Sequence, residues 1–184
     1  MKQQENNTQD VNIKDEHGLT MLHYAAQKDT NIKEIAELLN DGADQNIQDA
    51  YGLTVLHRVI EHEENEKNML EIVDLLLAKG SDLNKQDNQG MTALHYATWH
   101  KKVAVMARLL DNGADPNIST TGGGLTPLHI AAITNQADAA ELLLKHKANF
   151  YAKDHKGLTA YEWLAVANHS YAVLSTFNVW HKVD

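Results

Sequence analysis

Cysteine is absent from the 184 residues. That removes disulfide scaffolds, thiolate zinc sites and cysteine nucleophiles, and it leaves the redox compartment open. Dense basic clusters are missing too: 16 Lys and Arg stand against 25 Asp and Glu, a formal charge of −9. Binding a phosphate backbone needs a basic face that releases counterions, so this balance argues against nucleic acid. Long apolar runs are lacking as well. The opening stretch MKQQENNTQDVNIKD has no segment of signal-peptide length, and no window resembles a membrane span. The expected setting is the cytoplasm, without a membrane partner; a bacterial effector exported through a non-classical signal has the same signature. Catalytic fingerprints are also missing. There is no Gly-x-Ser-x-Gly elbow and no dinucleotide motif. The glycines of TTGGGLTPLH precede a helix start, but they lack the strand and the lysine of a phosphate-binding loop.

What the chain does hold is a motif used again and again. TMLHYAAQ returns as TVLHRVIE, TALHYATW and TPLHIAAI. The threonines are Thr20, Thr54, Thr92 and Thr126, with a weaker echo at Thr159, so the spacings are 34, 38, 34 and 33 residues. A period near 33 means stacked supersecondary units. Each unit opens with Gly-x-Thr, where glycine permits a tight turn and threonine suits a helix N-cap. Pro127 follows one of these threonines, at the first helical position where proline is tolerated. A short apolar helix comes next. A second helix then carries apolar residues at helical spacing, such as Ile32, Ile35, Leu38 and Leu39, or Ile72, Val73, Leu76 and Leu77. Gly42, Gly80 and Gly113 are placed to end the second helices in the left-handed region, and Lys147 stands where a fourth glycine is expected. Keeping that backbone shape with lysine is predicted to cost about 1 kcal/mol.

The pattern D-x-x-G-x-T-x-L-H-x-A-A, an apolar helix and then G-A-D-x-N resembles the ankyrin repeat, from about Asp10 onward. The resemblance implies an all-α solenoid of stacked antiparallel helix pairs, with β-hairpin-like loops projecting at one edge. It divides the chain into a polar tail and half-hairpin over 1–14 and a repeat domain over 15–184, with units near 15–48, 49–86, 87–120, 121–153 and 154–184. The last unit replaces Leu-His by Tyr161-Glu162 and reads as a cap, with Trp163 and Trp180 expected to seal the stack. An exposed patch there would instead make a homodimer of an expected monomer. The segment DVNIKD looks like half a hairpin, so either Thr20 begins the first unit or the chain is part of a longer array.

Eleven histidines raise the question of metal or acid–base chemistry, and four lie in the motif: His23, His57, His95 and His129. Two nitrogens on one zinc lie within about 4.2 Å of each other. Packed helices place equivalent residues about 8–10 Å apart, so these histidines cannot share an ion. A neutral imidazole has one donor and one acceptor and suits a structural bridge at the helix start. In the resembled family the motif histidine bonds the threonine and nearby backbone. His62, in HEENEKN, lacks the second histidine four places on that a zinc protease needs, and position 66 is glutamate. No catalytic residue, metal or cofactor is therefore expected.

The resemblance also says which positions are free to vary: the hairpin tips, the residue after the glycine and the end of the first helix. They include Ala50 and Tyr51, Asn88 and Gln89, and Gly122 and Gly123 at the tips. Met91 and Leu125 follow glycines, while Gln27 and Lys28, Glu61 and His62, Trp99 and His100, and Ile133 and Thr134 close helices. Tyr51, Gln89, Met91, Trp99, His100 and Ile133 are the expected contacts for another protein, because amphipathic aromatics concentrate at interface hot spots. Tyr24 and Tyr96 are expected to pack between units. The function implied is a non-catalytic protein-binding module. Its alternatives are a regulatory or inhibitory fragment of a larger protein and a secreted bacterial effector aimed at a host protein.

Overall fold

A computed structural model describes residues 10–27, 32–62, 64–167 and 175–177. Among them lie nine α-helices and no strand beyond one antiparallel bridge, Lys153 with Thr159. Five helices follow the repeated threonines: α1 (Met21–Gln27), α3 (Val55–His62), α5 (Ala93–Trp99), α7 (Pro127–Ile133) and α9 (Ala160–Ala167). Four others alternate with them: α2 (Ile32–Asn40), α4 (Glu66–Ala78), α6 (Val103–Asp111) and α8 (Ala137–Lys145). Each helix of the first set touches the next of that set, and each of the second set does likewise. The result is two parallel rows, an all-α solenoid. Helices this short are marginal in isolation, so burial between neighbours must hold them.

That burial is repetitive. The motif leucines Leu22, Leu56, Leu94 and Leu128 are all inaccessible, and Ile35, Ile72, Leu109 and Leu143 close the space from the second row. Fully burying one such side chain contributes roughly 1.5–3 kcal/mol. At the far end Phe177 is fully buried and meets Phe150 and Tyr161, so three rings cover the last helix pair. Trp163 is half-buried there; Trp180 and Lys28 lie outside the described residues.

Helix ends follow a single pattern. After α8 the N–H of Lys147 bonds the Leu144 carbonyl and that of Ala148 bonds the Leu143 carbonyl, with Lys147 at φ 65°. Gly42 and Gly113 end α2 and α6 through the same pair of bonds. Lysine thus keeps the glycine geometry. The same turn closes α5 at Lys101 and α7 at Asn135, both at φ 58°, where the sequence has no glycine to announce it.

Neighbouring units are stitched by polar side chains. Asn46 donates to the Gly80 carbonyl and accepts from the Asp82 N–H at 2.7 Å; Asn12 does the same with Gly42 and Asp44, and Asn117 with Lys147 and Asn149. Gln48 reaches the Gln86 carbonyl and Gln86 the Ser119 carbonyl. The hairpin tips also join backbone to backbone: Ala50 N–H to His17, Asn88 to Tyr51, Thr121 to Gln89 and His155 to Gly123. This is why Gly90 has no alternative. Its φ is 79°, and a Cβ there would lie 2.5 Å from the Thr121 nitrogen of the next tip.

Candidate functional site

The motif residues form braces. Thr92 and Thr126 cap α5 and α7 from extended backbone. The Thr92 N–H donates to Nδ1 of His95 at 3.0 Å, and its hydroxyl lies 2.8 Å from the same nitrogen. Thr20 with His23 and Thr126 with His129 repeat the pair. An Nδ1 that accepts a backbone N–H leaves the ring proton on Nε2. That proton points at a carbonyl of the next unit: Leu53 from His23, Leu125 from His95 and Leu158 from His129, at 3.3, 3.1 and 3.1 Å. Thr54 and His57 make the same local pair, but Nε2 of His57 meets no acceptor at hydrogen-bonding geometry. Tyr96 covers that ring edge-on at 5.4 Å between centroids.

Burial disfavours the charged imidazole and lowers all four pKa values, those of His57 and His95 to about 4. Among the described residues no group of three or more His, Asp or Glu could hold a metal ion. In the last unit Glu162 takes the histidine's place: its carboxylate accepts the Thr159 N–H at 2.7 Å and the hydroxyl at 2.9 Å. A carboxylate needs no further acceptor, and this one is exposed.

A second brace runs from each hairpin to its own helix. Asp15 accepts from the Tyr24 hydroxyl, Asp49 from Arg58, Asp87 from the Tyr96 hydroxyl at 2.9 Å and Asp154 from the Trp163 indole at 2.9 Å. The expectation for Tyr24 therefore needs correction: it is 44% exposed and tied to its own unit. Tyr96 is tied within its unit and also packs on His57 of the one before. The fourth unit changes both partners at once. Thr120 stands at the aspartate position and Ile130 at the donor position. Thr120 caps the lengthened tip by accepting the Leu125 N–H at 3.0 Å, and Ile130 is buried. A buried hydroxyl left without its carboxylate would cost about 1–3 kcal/mol, so the joint change avoids a penalty that either alone would bring.

This change shapes a concave groove of about 750 Å³ over the third unit. Met91, Leu125 and Ile130 give it apolar surface, and α5 lines it with Tyr96, Trp99 and His100. Asn88 and Gln89 border it at one tip, residues 120–123 at the next, and Glu61 at the end of α3. Trp99 is 53% exposed, whereas Thr98 beside it is buried and donates its hydroxyl to the Leu94 carbonyl at 2.8 Å. Burial lowers the His100 pKa, and the Glu61 carboxylate opposes the shift.

Of the six residues expected to face a partner, Gln89, Met91, Trp99 and His100 line this groove. Tyr51 does not; it stands at the second tip, 69% exposed, with the Arg58 guanidinium 6.0 Å from its ring centroid. Ile133, half-buried at the end of α7, is outside the lining as well. Tyr96, Thr120, Thr121 and Ile130 escaped the sequence reading as groove residues. Their signal was the paired loss of aspartate and hydroxyl donor in the fourth unit.

A family model described as ankyrin repeats (3 copies) matches over residues 3–87, 41–120 and 108–176. The human 2-5A-dependent ribonuclease is 35% identical over 71 residues, which is 39% of this chain. The chain spans about 10% of the length of that curated relative.

Proposed function

The chain belongs to the ankyrin repeat family, and from that premise we propose that it is a non-catalytic module that captures another protein in the groove around Trp99. Repeats of this family are in general protein-interaction modules. The threonines, histidines, asparagines and aspartates of the repeat are engaged in bracing, so recognition falls to side chains that the braces leave over. The observation that carries the reading is the exposed indole of Trp99 beside Met91 in a concavity walled by two hairpin tips. A large ring with few rotamers, held on a helix end, presents apolar area at little entropic cost.

The test is partner capture from native lysate by the intact protein and by the double variant Trp99→Ala, Met91→Ala. The expected outcome is loss of specifically retained proteins, with helical circular dichroism and melting temperature nearly unchanged. Identical capture by both proteins would remove the groove from the reading. A collapsed melting transition would make these side chains core.

A further inference from the structure

We propose that the groove accepts an extended peptide segment in which an aliphatic anchor stands two residues from a lysine or arginine, the anchor against Met91 and Leu125 and the cation against Glu61. This rests on the reading of the groove as the partner site, and adds the charge and shape of what enters it.

The first support is electrostatic. Among the described residues, Glu61 is the one acidic or basic side chain in the groove lining apart from His100, whose imidazole is held toward its neutral form by burial. Glu61 Oε2 is buried and accepts no hydrogen bond of proper geometry. His62 Nε2 lies 3.2 Å away and Arg58 Nη1 3.9 Å away, but Arg58 already donates to Asp49 through two of its nitrogens. The Glu61 side chain is 32% exposed, so an incoming ammonium or guanidinium would meet the open edge of a carboxylate, whereas an incoming carboxylate would meet a like charge. Arg58 beside Glu61 and Lys102 near His100 are the opposing cations described on this side. Against them stand Glu64 and, at the start of α4, Glu66, and the whole protein carries −9. Fields of that sign draw cationic segments in.

The second support is the wall opposite. Gly122 and Gly123 carry no side chains, and a Cβ at Gly122 would meet nothing within 4 Å. The Gly123 carbonyl is taken by the His155 N–H, but the open backbone at Gly122 suits main-chain hydrogen bonding to an extended segment, which leaves one side chain in two to point inward.

Calorimetric titration of the full chain with two blocked synthetic peptides tests this: acetyl-Gly-Leu-Ser-Lys-Ser-Gly-amide and its counterpart with glutamate for lysine. The lysine peptide should bind at least roughly tenfold tighter at low salt, with the preference shrinking as salt rises. Glu61→Gln, checked for intact helicity, should bring the two affinities within about threefold. Trp99→Ala should abolish both. Equal affinities, no heat from the lysine peptide, or an unaltered preference in Glu61→Gln would each overturn the proposal. If both peptides bind equally and Trp99→Ala removes both, the groove stands as the binding site and only its charge selectivity falls. Binding of the lysine peptide that survives Trp99→Ala would instead strike at the groove itself.

Discussion

His95 Nε2 lies 3.1 Å from the carbonyl oxygen of Leu125, a residue 30 positions further along and one unit away. The same imidazole accepts the backbone N–H that opens its own helix. One side chain therefore fixes a local turn and a unit-to-unit distance together. Replacing His95 by alanine should destabilise the array by ~1–3 kcal/mol, because a buried N–H and a buried carbonyl both lose their partner. Urea unfolding followed by circular dichroism measures it; an unchanged midpoint would leave the imidazole without a structural role.

Acid should act through the same rings. An unfolded histidine takes up its proton near pH 6.5, whereas His57 and His95 in the fold resist it until about 4. Between those values the unfolded chain binds more protons, so stability is complete above about 6.5 and is lost as the pH falls toward 4. Each such histidine contributes a slope of at most about 1.4 kcal/mol per pH unit in that window. Urea midpoints at pH 7.5, 6 and 5 should decline in that order. A flat profile would mean that these rings are charged, or exposed, in the folded protein.

Two glycines of similar φ should respond unequally to alanine. Gly113 at φ 92° has nothing within 4 Å of a new Cβ, so Gly113→Ala should cost about 1–2 kcal/mol of backbone strain. Gly90 at φ 79° bears the same strain and in addition a 2.5 Å clash with the Thr121 backbone. Gly90→Ala should therefore unfold at clearly lower urea. Equal losses would show that the tips need not touch.

Lys147→Gly is the converse case. The lysine sits at φ 65° in a turn that Gly42 and Gly113 make elsewhere, so its replacement should stabilise the protein by about 1 kcal/mol. The gain should read as a higher melting temperature. A loss would point to a contact of the lysine stem that outweighs the strain.

Much of this architecture was legible in the chain because it is local and repeated. Gly-x-Thr announced the turn and cap, Leu-His the buried face, and Lys147 the place where a left-handed residue had to be tolerated. The left-handed turns at Lys101 and Asn135 were not legible, since ordinary residues occupy them and only the fold compels the geometry. The asparagine stitches were not legible either, because their partners lie more than 30 residues away. Within the groove, Trp99 and Met91 stood out as departures from the repeat. Ile130 did not, because an isoleucine in a short apolar helix looks like core until the neighbouring aspartate is seen to be gone. Position alone assigns Tyr51 and Ile133 to the same surface, but Tyr51 stands at the preceding tip beside Arg58 and Ile133 at the end of α7, both outside the lining.

The stitches also bear on how such a chain changes length over evolutionary time. The bonds between units join groups about one period apart, with donors on both sides, so excising or duplicating a whole period returns matching partners at the new junction. Growth by copying is thus mechanically neutral along the polar edge, and diversification is left to the few side chains that look into the hollow.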